Sequence, residues 1–325
     1  MVEGLNTFGG KLYPFPLNSF RQYVATPWGS KSLLAKAGID PDAETQSWDD
    51  FRAKVRTAQQ KTGKAGIIMP IKLAGRMDEF VTALVQTAGF PGFGGIETAS
   101  GAYRYDHDAY VQTLEFLRSF ATDKVMLGAS TNLDARTGRA RWVSGDAVYF
   151  FDGPYCAGVC KTDFAKFMPE LTVSQMPTQD GAAPTVTSGP SGGDLWISGA
   201  SKQIDQVSKL LTMFTSDDFR KHQPDYMDAA PLDLGVVPAS KAHPTYKKLC
   251  AWFAKYGFLV AGCRDQGQGR RQGDGQRLGF PGLEARRRLR HHIALPCRAR
   301  PGRPGRPGQE HRCAALPCWV CLSTS

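Results

Sequence analysis

The adjacent acids Asp49-Asp50 are the first candidates for chemistry, because glycoside hydrolysis uses two carboxylates flanking a sugar bond. Placed in the first turn of a predicted helix, they point in different directions and instead favour the positive end of its dipole. Nucleophilic catalysis has no better footing. Ser30, Ser144 and Ser191 lack a G-x-S-x-G elbow, and six His, two of them adjacent in the tail, give no triad arrangement. Gly92-Phe93-Gly94-Gly95 and Gly189-Pro190-Ser191-Gly192-Gly193 have no following Lys-Ser or Lys-Thr and no dinucleotide fingerprint, so both read as turns. Cys318-Trp319-Val320-Cys321 has a C-x-x-C spacing, but a second ligand pair is missing, and Cys297 and His311 are too irregular to complete a finger. The expectation is no enzyme, no metal and no cofactor.

What remains is a supply of aromatics beside turn-forming Gly and Pro: Trp28 before Gly29, Tyr155 after Pro154, and Trp196 shortly after Gly193. A sugar packs its C–H face on a flat apolar ring while its hydroxyls demand hydrogen bonds from amides and carboxylates. These three rings are either core or ligand-facing. Trp48, Trp142 and Trp252, at helical spacing among apolar neighbours, are expected in the core.

The elements that must position these residues alternate between helix and strand patterns, the signature of an α/β protein. Ser30 to Ala37 reads as helix closed by Gly38. Ser47 with Asp50 three residues on is a near capping box, and Trp48, Phe51, Val55 and Ala58 follow at helical spacing to about Lys61, before Gly63. Ala65 to Pro70 is a brief buried strand, and Phe80 to Ala88 a helix. Asp108 to Thr122 is a helix with an apolar stripe of Val111, Leu114, Phe116, Leu117, Phe120 and Ala121. After the helical stretch Arg139 to Ser144, Ala147-Val148-Tyr149-Phe150-Phe151 is apolar throughout, hence a buried strand, and runs directly into Asp152-Gly153-Pro154-Tyr155. Thr172 to Met176 and Leu195-Trp196-Ile197 are further strands, and Ile204 to Thr215 is an amphipathic helix.

With 325 residues, 42% apolar and 22% charged, the chain has length and apolar surface for one large or two ordinary domains. No run approaches the roughly 18 apolar residues of a membrane span. The opening Met1-Val2-Glu3-Gly4-Leu5 has no basic region followed by an apolar one, so no export signal is expected in this chain. The net charge of +10 is concentrated at the end: residues 261–325 hold 13 Arg and 4 acidic residues, five of the eight Cys, and no Lys. That Arg-Gly-Pro-rich text lacks periodicity and core-forming residues, so disorder is expected there, and its bias is that of a GC-rich coding sequence read in a shifted frame. The rival function it suggests is nucleic-acid or polyanion binding through clustered Arg.

The order of patterns in the body resembles one family. Gly10-Lys11-Leu12-Tyr13-Pro14-Phe15-Pro16, Leu33-Leu34-Ala35-Lys36-Ala37-Gly38-Ile39-Asp40-Pro41 and Ser47-Trp48-Asp49-Asp50-Phe51 are similar to segments of the extracellular solute-binding proteins of ABC importers, carbohydrate-binding branch. Gly145-Asp146-Ala147-Val148-Tyr149-Phe150-Phe151-Asp152-Gly153-Pro154-Tyr155 resembles that family's buried strand ending in Asn-Gly-Pro-Trp. Gly192-Gly193-Asp194-Leu195-Trp196-Ile197-Ser198 resembles its Gly-Gly-Trp crossing strand.

The resemblance implies a two-lobe, type II periplasmic-binding-protein-like α/β fold with the solute held between the lobes. On that basis residues 1–19 are a crossover or hinge segment, 20–190 the second lobe, 191–260 an incomplete first lobe, and 261–325 the basic tail. The implied function is capture of a sugar or other small polar solute for ABC permease subunits in the membrane, by an extracytoplasmic monomer, with no nucleic acid as partner. Carried over by position, Tyr155 stacks on the sugar, Asp152 accepts from a hydroxyl beside Gly153, and Gly193, Asp194 and Trp196 contribute from the crossing strand. Trp28 and Glu79 are further ligand-facing candidates.

Overall fold

The computed structural model describes residues 7–260 except positions 9, 10, 13, 20, 44, 45, 98, 99, 101, 185, 189–193, 199 and 257. All of them fall within one compact unit, Met1–Arg270. The basic tail and Gly193 lie outside the described residues.

Three two-residue strands open the described chain: β1 (Thr7–Phe8), β2 (Lys11–Leu12) and β3 (Phe15–Pro16). Next comes β4 (Thr26–Ser30), which leads directly into α1 (Lys31–Ala37). Gly38 ends that helix at φ 70°, in the left-handed region where a side chain is strained, and its N–H donates to the Ala35 carbonyl. A complete capping box starts α2 (Trp48–Thr62): the Ser47 hydroxyl accepts from the Asp50 N–H at 3.1 Å, and the Asp50 carboxylate accepts from the Ser47 N–H at 3.2 Å. Asp49 and Asp50 therefore serve the helix start, as their spacing predicts.

Strand β5 (Ala65–Ile68) is followed by α3 (Ala74–Thr87), the short hairpin strands β6 (Gly92–Phe93) and β7 (Ile96–Glu97), and α4 (Asp108–Thr122). Helix α5 (Ala135–Val143), capped by Asp134, precedes β8 (Ala147–Asp152) and α6 (Cys156–Asp163). Then come β9 (Leu171–Val173), β10 (Val186–Ser188), β11 (Asp194–Leu195), α7 (Ile204–Met213), α8 (Asp217–His222), α9 (Pro244–Lys255) and β12 (Phe258–Val260).

The central sheet has the order β5-β8-β4-β9, with β5 parallel to β8 and the other pairings antiparallel. Every residue of β4 and β8 is buried. Successive β8 side chains point to opposite faces. Tyr149 meets Phe51 of α2 edge-on at 5.2 Å, while Phe150 stacks on Trp142 of α5 at 5.4 Å, so helices cover both faces. Phe151 returns to the Tyr149 side against Phe80 of α3. That double coverage is why the strand reads as an unbroken apolar run.

Two expectations need correction. Helix α3 starts six residues before the predicted Phe80. On α4 the buried face is Ala109, Tyr110, Thr113, Phe116, Leu117 and Phe120, whereas Val111 and Leu114 are half exposed. Trp48 of α2 stacks on Phe116 at 4.8 Å, while Ala109 and Tyr110 pack with Val85 of α3 and Phe90. Trp48, Trp142 and Trp252 are all in the core. Farther along, β3 pairs antiparallel with β11, and β10 pairs parallel with β12.

Candidate functional site

Strand β8 ends at an acidic residue for which its apolar run offers no partner. Asp152 is fully buried, and one of its oxygens, Oδ2, accepts from both Nε (2.8 Å) and Nη2 (2.7 Å) of Arg139 on α5. The other oxygen, Oδ1, lies 3.4 Å from Nη2 of Arg76 and has no hydrogen-bond partner among the described residues. A buried carboxylate survives only with such pairing. Expected as a hydroxyl acceptor, Asp152 has no surface to offer a solute; its role here is to hold two guanidinium groups.

Arg76 stands in the first turn of α3 and Glu79 one turn on, so the early start of that helix makes them an i,i+3 ion pair. The Arg76 Nη1 group also donates to the Tyr155 hydroxyl. Tyr155 follows Gly153-Pro154 at the head of α6, with Arg76 Cζ 5.4 Å and Arg139 Cζ 5.9 Å from its ring centroid. Tyr155 as a whole residue keeps intermediate exposure. A Cβ on Gly153 would come within 2.2 Å of that ring, so only glycine lets Tyr155 fold back over the strand end.

Trp28, on β4, is fully buried opposite Phe150, and its indole N–H donates to the Gly153 carbonyl at 3.1 Å and the Asp152 carbonyl at 3.3 Å. It fixes the loop from behind and is not ligand-facing, a correction to its expected role.

Charge follows geometry. Burial drives the Tyr155 phenol well above its usual range, with Asp152 adding to it. Burial also raises the Glu79 carboxyl, against the pull of Arg76. For Arg76 and Arg139 burial works toward neutrality, but Asp152 and the other anionic neighbours outweigh it, so both hold their protons more firmly than usual.

The structure thus brings Tyr155, Asp152, Gly153, Trp28 and Glu79 into one cluster from four elements. Trp196 is 68% exposed just past β11 and takes no part in the cluster's hydrogen bonds. Asp194 lies in β11 opposite Pro16. The sequence reading missed Arg76 and Arg139. A buried acid at the end of an apolar strand demands a cation, and Arg139 on the preceding predicted helix was the available signal. An open groove lined by apolar side chains of Leu234, Val237 and Pro238 together with Lys247, Lys248 and Lys255 contains none of these residues. Among the described residues no group of three or more His, Cys, Asp or Glu could hold a metal, and no helix is long and apolar enough to cross a membrane.

The family model described as bacterial extracellular solute-binding protein matches residues 2–221. The chain belongs to that family. Solved structures with a similar fold include maltose-bound MalE3 of T. maritima (19% identity, TM-score 0.59, covering 78% of this chain and 63% of that one). A chitin oligosaccharide binding protein is similar at 19% identity and TM-score 0.62, over 79% of this chain and 63% of the other. The GacH receptor of Streptomyces glaucescens, solved unliganded and with acarbose, is similar at 18% and 0.58, over 78% and 62%. The fold of this solute-binding protein is therefore the mixed α/β fold of the periplasmic binding proteins. The chain spans less than two thirds of the length of these relatives. No curated protein sequence matches it.

Proposed function

We propose that this chain is the substrate-binding component of an ABC importer, capturing a sugar or oligosaccharide between two lobes and releasing it unchanged to permease subunits in the membrane. The observation that carries this reading is the convergence of a partly exposed aromatic residue, Tyr155, with the half-buried ion pair Arg76–Glu79 at the end of β8. A ring takes the apolar face of a sugar, and the pair supplies a donor and an acceptor to its hydroxyls. Similar structures bind maltose and chitin oligosaccharides, which supports the same solute class here.

In this reading residues 20–190 form one lobe and residues 191–260 part of the other. The antiparallel contact of β3 with β11 supports them as the paired crossovers. Trp196, 68% exposed just past that crossing, then faces the solute from the opposite side. Arg139, Asp152 and Trp28 position the loop. In this reading the protein acts outside the cytoplasm as a monomer and releases its solute unchanged.

The test is a thermal-shift screen of the full chain against maltose, maltotriose, chitooligosaccharides, amino acids and dipeptides. A saccharide is expected to raise Tm. A response to amino acids or dipeptides alone, or to nothing, overturns the reading.

A further inference from the structure

The stretch between α3 and α4 carries a second set of rings, which the importer reading does not use. Tyr103 and Tyr105 are 69% and 60% exposed, with Ile96 of β7 open beside them. They stand two residues apart on extended chain that is laced to the β6–β7 hairpin. Tyr103 bridges Ile96, the Arg104 N–H donates to the Gly95 carbonyl at 2.7 Å, and the Glu97 N–H donates to the Ala102 carbonyl at 3.0 Å. At that spacing both side chains leave one face. Their rings lie nearly parallel, 13° apart with centroids at 5.9 Å.

Single exposed aromatics are ordinary, but these two are paired and fixed. The Tyr105 hydroxyl donates to the Gly94 carbonyl at 3.1 Å, its ring meets the buried Tyr110 edge-on at 5.3 Å, and a Cβ on Gly95 would run into it. Tyr110 packs in turn on Phe90, in a small core with Val85 and Ala109. The column of rings is thus anchored at its inner end and open at Tyr103. Arg104, bridged to Asp106 at 3.0 Å and 3.6 Å from Glu97, sets donors and acceptors at the rim. Among the described residues no hydrogen bond or ring contact joins this platform to the Arg76–Tyr155 cluster.

Size decides what the platform fits. A buried tyrosine covers roughly 150–250 Å², so two partly exposed ones offer on the order of 300 Å², well short of the roughly 800 Å² per partner of a stable protein interface. One or two sugar residues need no more, because a pyranose lays its C–H face on a ring and turns its hydroxyls to the rim. Rings already fixed in place lower the ordering cost of binding.

We infer that the Tyr103–Tyr105 platform is a second saccharide-binding site, separate from the Tyr155 cluster, that takes polysaccharide chains by ring stacking. It goes beyond the importer reading and shares with it only the class of ligand.

The experiment measures depletion of the full chain from solution by insoluble starch, chitin and mannan, polymers without the phosphates that the Arg-rich segment 261–325 would attract. At least one polymer is expected to retain the parent. Tyr103→Ala should weaken that retention at least about fivefold, whereas Tyr103→Trp, which keeps a ring, should preserve it. Circular dichroism and any saccharide-induced thermal shift should stay as in the parent for both variants. Retention by none of the polymers, or equal retention of Tyr103→Ala and parent, overturns the inference and leaves the importer reading to its own thermal-shift screen. Retention that disappears when the small saccharide giving the thermal shift is bound also overturns it, since the polymer then occupies the Tyr155 site. Ring-dependent retention with no thermal shift upholds the inference and removes the importer reading. Dimers seen by sedimentation velocity and lost in Tyr103→Ala, with no polymer retained, would assign the rings to a second copy of the chain and overturn it.

Discussion

Asp152 spends one carboxylate oxygen entirely on Arg139, whose Nε and Nη2 both donate to it at 2.8 and 2.7 Å, with both side chains buried. Removing Arg139 leaves the buried carboxylate with Arg76 alone, at 3.4 Å and without a hydrogen bond. Arg139→Met is expected to destabilise the fold by about 3–5 kcal/mol, and adding Asp152→Asn should recover part of that loss. Chemical denaturation of the two variants measures it; a double variant no more stable than the single one contradicts the pairing.

The loop carrying Tyr155 is held from behind by Trp28, whose indole N–H reaches the Gly153 carbonyl. Trp28→Phe removes the donor and leaves that carbonyl with the Cys156 N–H at 3.1 Å as its remaining partner, at an expected cost of about 1 kcal/mol. Reduced solute affinity should accompany the lower Tm, since the loop is then less firmly set. Unchanged stability would show that the bond is not made in solution.

Gly153 makes room for the Tyr155 ring. Gly153→Ala is expected to displace the ring and abolish most of the saccharide-induced thermal shift while circular dichroism stays as in the parent. Retained saccharide response in that variant would mean that the ring is placed differently.

Much of this was legible in the sequence. Helix ends were, because Ser47-Asp50 and Gly38 act through bonds to their own neighbours. The buried strand β8 was too, because two covered faces leave an unbroken apolar run. Trp28, either core or ligand-facing by its sequence, is core: Pro27 and Gly29 around it give β4 the look of a turn, yet the strand lies between β8 and β9, where tertiary pairing overrides propensity. The α3 start was hidden because Gly75 weakens the helical pattern, and with it went the Arg76–Glu79 spacing. The long-range pairing of Arg139 with Asp152 carries only the weak signal that a buried acid needs a cation.

Burial raises the Glu79 carboxyl above its ordinary 4.5, with Arg76 opposing and Asp152 and Asp78 reinforcing the shift. The folded protein then binds this proton more tightly than the unfolded chain does, so the group's contribution to stability is full below the ordinary carboxyl pKa and is lost as pH rises through the raised value. Relative to the parent, Glu79→Gln should gain in Tm between pH 4 and pH 7. A difference that stays constant or falls across that range contradicts the assigned environment.

The central claim is that Tyr155 grips the solute, and titration calorimetry of the parent and Tyr155→Ala with the saccharide that gives the largest thermal shift tests it most directly. The account predicts that the variant remains folded and loses about 1–3 kcal/mol of binding free energy. Equal affinity in the two proteins would contradict it.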